Sequence, residues 1–182
     1  MSYAALLGFA PFAVFALIEK WVGIVPGLVA GLLVSLGLAT WTALRHRSAN
    51  MLELGSAVIF GALAALALSV HPAWSVWDVR LYVDAGLALV VILGVLLRRP
   101  FTLQHRKTVD PTGITRDPAV LRRHLVLSGV WGLAFAGLAL VDLYMTLDPG
   151  VRDRRGIILT LAILLAAARV THASVKHARA VA

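Results

Sequence analysis

The sequence predicts an all-α polytopic transmembrane helical bundle, and three observations predict it. Of the 182 residues, 60% are hydrophobic and only 14% charged, where soluble domains carry about 25% charge. The mean hydropathy is +0.87, and a chain this short has too high a surface-to-volume ratio to hide so much apolar surface from water. The apolar residues also gather in runs near the roughly 20 residues that a helix needs to cross a hydrocarbon core of about 30 Å. Lipid is the solvent that this composition fits.

The formal charge of +8 and the pI of about 11.1 taken alone suggest a nucleic-acid partner. A membrane protein, however, gathers Lys and Arg in its cytoplasmic loops, and the apolar runs decide for that reading; no nucleic-acid partner is expected. There is no cysteine, which excludes disulfides and cysteine-based metal or redox chemistry.

Six spans are expected, with five as the alternative, in a single integral membrane domain over 1–182. They lie at about 3–19, 22–44, 54–70, 81–97, 125–146 and 157–175. The first, within MSYAALLGFAPFAVFALIEK, lacks a basic leader and a small-x-small cleavage site, so it reads as a retained membrane segment. It is short and carries Pro11, which makes it the span on which the count turns. The second is uncharged throughout; Pro26 marks its first turn, where proline is tolerated. The third ends at His71-Pro72. The fourth has Asp84 near its start, and PAWSVWDVR before it fits a short amphipathic element on the membrane surface. The fifth holds Asp142 as its single charge. In the sixth, Arg169 can snorkel and let the helix run on to Val175.

Of the 17 Lys and Arg residues, 12 fall in the segments Arg45–Glu53, Arg98–His124 and Arg169–Ala182. The positive-inside rule therefore places the central loop and both termini of a six-span chain in the cytoplasm. With five spans the N-terminus lies outside. Trp21, Trp74, Trp77 and Tyr82 fall near the expected outer boundary and Trp41 near the inner one, as interfacial aromatics do.

Small residues predict how the helices meet. Gly23, Gly27 and Gly31 recur every four residues and share one face, as do Ala57, Gly61 and Ala65 on the third span. Such rows let backbones approach closely, which matters where hydrophobicity does not drive helix association. Packing between neighbours is their plain use; a homo-oligomer contact through the first row is the functional alternative.

Few side chains suggest chemistry. Asp84 and Asp142 are the acidic residues expected at membrane depth, and intramembrane carboxylates are suspects for proton or cation sites. The plainer expectation is interfacial ion pairing. Arg80 stands one helical turn from Asp84, while Arg152, Arg154 and Arg155 follow Asp142. The histidines match no metal-binding spacing, and there is no Walker loop, GxSxG or HExxH. No cofactor, metal or enzymatic activity is expected. The basic loop over 98–124, RRPFTLQHRK and onward, presents Arg98, Arg99, Arg106, Lys107, Arg122 and Arg123. Near an anionic leaflet each contributes about 1 kcal/mol of attraction, so anionic lipid headgroups are its first expected partner. DPAVLRRH has a helix start, with Asp117 as cap and Pro118 at the first position.

Taken in order, FAPFAVFALIEKW, WTALRHR, VIFGALAAL, WSVWDVRLYVDAGLAL, LLRRPFTLQHR and VWGLAFAGLALVDLYMTL make the chain resemble the intracellular septation protein A family (YciB/IspZ) in outline over most of its length. It departs from that family's text in the central loop. The resemblance implies a multi-pass protein of the bacterial inner membrane acting in envelope biogenesis or cell division. Its partners would be division or elongation membrane proteins, and the resemblance carries over no catalytic residue. The rival expectation is a small transporter or channel using Asp84 and Asp142.

Overall fold

In the computed structural model, residues 8–46, 50–70, 73–103, 118–148 and 153–180 are described. They form six main α-helices, a short helical stretch at 101–103 and no strand; the main helices are α1 (Ala10–Val22), α2 (Ile24–His46), α3 (Met51–Val70), α4 (Val76–Leu96), α5 (Pro118–Leu147) and α6 (Asp153–Ala180). The chain is all-α, and five of the helices, α2 to α6, are long and apolar enough to cross a membrane. With only 13 residues, α1 extends about 20 Å, short of a full crossing. The first five residues of the expected 3–19 span, like Arg106 and Lys107, lie outside the described residues.

Consecutive helices run antiparallel, which gives the bundle two ends. The hairpin end carries Gly23, the end of α3 with the start of α4, and the end of α5 with the start of α6. The loop end carries the end of α2 with the start of α3, the end of α4 with the start of α5, and the end of α6. The closest association joins α4 to α5, followed by α1 with α2 and α2 with α3, while α6 packs chiefly on α5.

Gly23 makes the first hairpin possible. Its φ of 124° is open to glycine but not to residues with a Cβ, and its N–H donates to the Ile18 and Glu19 carbonyls. The chain reverses over this one residue, so α1 and α2 meet symmetrically about it. A Cβ on Gly27 would stand 3.1 Å from the backbone nitrogen of Glu19 and 3.2 Å from the Phe15 ring. One on Gly31 would stand 2.9 Å from the Phe60 ring of α3. The predicted glycine row thus lies in the seam of α1, α2 and α3. On α3 itself, Ala57 is buried, Gly61 faces Leu32, and Ala65 is exposed. Two glycines outside either row make contacts at least as tight: Cβ atoms on Gly55 and Gly86 would meet Val90 at 2.7 Å and Ile59 at 2.9 Å, locking α3 to α4.

The core is aromatic and aliphatic. Phe12 and Phe15 of α1 lie against Phe60, with ring centroids 5.3 and 5.7 Å apart, and Phe9 lies 5.1 Å from Trp131 of α5. By these contacts α1 closes the bundle, reaching from the hairpin end to mid-depth. Leu87, Val91, Phe135 and Leu138 complete the buried middle layer. The outside is apolar too: Leu33, Leu66, Leu89, Leu133, Leu140 and Leu165 are all exposed, the pattern that a lipid surround demands and water penalises.

Two helix boundaries differ from the expectation. WSVWDVR is not a separate surface element but the start of α4. The Ser75 hydroxyl accepts from the Asp78 N–H and the Asp78 carboxylate from the Ser75 N–H, at 3.2 and 2.7 Å; this reciprocal capping box satisfies two otherwise orphaned donors. At the other end α4 stops at Leu96, and Arg98 takes a positive φ of 53°. The chain then tucks inward, burying Pro100, Phe101 and Leu103. Half of the RRPFTL stretch is therefore core, while Arg98 and Arg99 stay exposed.

Candidate functional site

The capping box at Ser75 fixes where α4 begins, and spacings of three and four put Trp77, Arg80 and Asp84 on one face of it, the face that meets α5 and α6. Arg80 lies one turn into the helix and reaches across the bundle. Its Nε is 3.4 Å from Asp142 Oδ1 of α5, and its Nη2 donates to Thr160 Oγ1 of α6 at 3.2 Å. Its guanidinium stacks over the Trp77 ring at 4.8 Å. Trp77 in turn sits against Gly156 of α6, where a Cβ would come within 2.7 Å of the ring. A bulkier residue at 156 would push α6 off the site. One arginine therefore ties three helices together.

Asp142 is 0% exposed, and neither of its carboxylate oxygens accepts a hydrogen bond. Half-buried Asp84 stands directly beside it, and both aspartates feel the Arg80 charge. Glu19, at the end of α1, lies in range of the same guanidinium. The expected interfacial pairing is thus replaced by another. Among the described residues Arg80 forms its ion pair with Asp142 and not with Asp84 one turn away. Arg154 and Arg155 are exposed, and Arg152 lies outside the described residues. Nearness to a helix end does not spare Asp142 the cost of burial, because the neighbouring helices cover it.

The loop end holds polar groups that the sequence reading missed. Glu53 is buried in the first turn of α3, and its Oε1 accepts from Thr42 Oγ1 of α2 at 3.1 Å and Asn50 Nδ2 at 2.8 Å. Its Oε2 is buried without a hydrogen-bond partner. The available signal was an acid in the apolar text NMLELGS, preceded by an asparagine and a threonine with amide and hydroxyl donors. Nearby, Thr102 of the tucked segment contacts Ser128 Oγ at 2.9 Å, donates to the His124 carbonyl at 3.1 Å, and meets His124 Nδ1 at 3.1 Å. Arg123 of the basic loop hydrogen-bonds the Ser174 carbonyl of α6, whereas Arg122 is exposed. Two of the predicted cationic residues therefore differ in use: one joins helices and the other faces out.

Between the two ends the described interior is apolar. Phe60, Leu87, Val91, Phe135 and Leu138 fill it, and the buried Ser35 and Ser56 hydroxyls are turned back onto the Gly31 and Leu52 carbonyls of their own helices. Among the described residues no group of three or more His, Asp or Glu side chains is placed to hold a metal ion. No protein-family model, curated protein or solved structure matches the chain.

Proposed function

We propose that this chain is a multi-pass protein of the bacterial inner membrane that acts in envelope biogenesis or cell division through contacts with other membrane proteins. The observation that supports contact over passage is the apolar layer of Phe60, Leu87, Val91, Phe135 and Leu138 between the two polar ends. An ion crossing that layer would shed its hydration without a polar group to replace it, at a cost of several kcal/mol. The positive-inside bias turns the loop end to the cytoplasm. On the six-span reading the N-terminus lies on the cytoplasmic side as well. Arg98, Arg99 and Arg122 then meet anionic headgroups, while the broad apolar face of α6, packed chiefly on α5, meets lipid or a partner helix.

Two measurements test this reading. Recovery from native membranes in mild detergent should bring division or elongation proteins with the chain; recovery of the chain alone, or only of copies of itself, overturns the proposal. Reporter fusions should place both termini inside, and an external N-terminus would reject the six-crossing arrangement. The transporter alternative requires ion flux in liposomes that is abolished by Asp84→Asn with Asp142→Asn; no such flux is expected.

A further inference from the structure

A different property follows from the charges at the hairpin end, and it does not depend on the identity of any partner. Two carboxyl groups, Asp84 and Asp142, share the neighbourhood of one guanidinium. If both were ionised, the pair and Arg80 would leave one uncompensated negative charge beside a side chain that is wholly buried, and charge at that depth is costly unless it is paired. Arg80 cannot resolve this by losing its proton, since guanidinium stays charged in proteins. A carboxyl group can resolve it by keeping one.

The geometry leaves room for that proton. Asp142 is fully covered, yet neither of its oxygens accepts a hydrogen bond. The Arg80 Nη2 that could have completed a two-pronged contact is directed to Thr160 instead. What stands beside the vacant acceptor is the Asp84 carboxyl, and two carboxylates that close repel unless a proton lies between them. The remaining charged neighbours fit this account. Glu19 comes from α1, half-buried and within range of the Arg80 charge. Asp78 of α4 is engaged by its own capping box with Ser75. From α6 the described contact is the neutral Thr160 hydroxyl. A metal ion is a poor occupant, because Arg80 already places a positive charge 3.4 Å from Asp142.

We propose that Asp84, Asp142 and Arg80 form a proton-binding site that holds one proton between the two carboxyl groups. It is reached from the hairpin end and closed towards the loop end by the Phe60–Phe135 layer. The site loads and unloads from one side, so it senses the acidity of that compartment without conducting.

Infrared spectroscopy of the full chain in lipid vesicles at neutral pH tests this. The wild type should show the carbonyl band of a protonated carboxylic acid, and raising the pH should bleach it. Asp84→Asn and Asp142→Asn should each remove the band alone, because the single acid left beside Arg80 then ionises. Glu19→Gln, Asp78→Asn and Glu53→Gln should leave it unchanged. A wild type without the band at neutral pH overturns the proposal, and so does a band that survives either aspartate substitution. Sodium that removes the band at constant pH would show that a metal cation takes the proton's place, which also overturns it. Should either variant fail to fold, the wild-type band must still shift in D2O and titrate; a band that does neither is not this site.

Discussion

The two ends of the bundle each bury a carboxyl group, and they compensate it by different means. At the hairpin end Asp142 has a guanidinium 3.4 Å away and no hydrogen bond to either oxygen. At the loop end Glu53 has no ion pair among the described residues but receives two hydrogen bonds from neutral donors, at 3.1 and 2.8 Å. The first arrangement depends on charge and therefore on protonation. The second depends on short-range contacts within α2, α3 and the turn between them, and it anchors a hairpin. In a low-dielectric interior the charge-based arrangement is the more consequential one to break, since removing the one cation beside a covered carboxyl group costs more than removing one of two neutral donors.

That difference can be broken directly. Arg80→Leu removes the counter-charge of the Asp84–Asp142 pair, which must then keep an unpaired charge in a covered site or take up a second proton, and it should destabilise the protein by about 3–5 kcal/mol. Reversible unfolding in mixed micelles reads this loss. The loss should shrink in the double variant Arg80→Leu with Asp142→Asn, because the charge is then gone from both sides. Equal losses in the single and double variants would show that Arg80 acts through packing on Trp77 instead.

At the loop end the effect should be smaller. Asn50→Ala withdraws the shorter of the two hydrogen bonds to Glu53 while Thr42 keeps the other, and a cost of about 1.5 kcal/mol is expected in the same unfolding measurement. A cost equal to that of Arg80→Leu would erase the contrast between the ends.

The smallest effect belongs to the contact between α5 and α6. Trp131 Nε1 donates to Thr171 Oγ1 at 3.1 Å, and that hydroxyl also donates to the Ala167 carbonyl at 2.9 Å. Trp131→Phe should therefore cost only about 0.5–1 kcal/mol through the hydrogen bond, since Thr171 keeps its other partner. Losses above that range would assign the balance to the stacking of Trp131 on Phe9 and Phe135.

Particular residues show how far the sequence could be read. The five long helices were legible from their apolar runs, and the start of α5 at Pro118 from proline at a first turn. Gly27 and Gly31 were legible as close-packing positions from their spacing, but Gly55 and Gly86 were not. Nothing local distinguishes a glycine that faces Val90 from one that faces lipid. Asp84 and Asp142 were legible as residues of interest, and helical spacing puts Arg80 one turn from Asp84, but the spacing does not name the partner of Arg80. The structure gives it to Asp142, 62 positions away in the chain. Glu53 is marked in the sequence by Asn50 three residues before it, but its burial comes from the covering helices and its second donor, Thr42, stands eleven positions away on α2.

By itself the sequence determined that this protein is helical and suited to lipid, because transfer free energy is a sum over some 20 consecutive residues and needs no knowledge of what lies alongside. It also determined where the positive charge gathers. Only the tertiary structure decided that α1 folds back over Gly23 and stops at mid-depth, that PFTL turns into the core, and that two aspartates on different helices share one arginine. Those outcomes depend on the rotation and register of one helix against another. Rotation and register are set by contacts between residues tens of positions apart, and no local pattern encodes them.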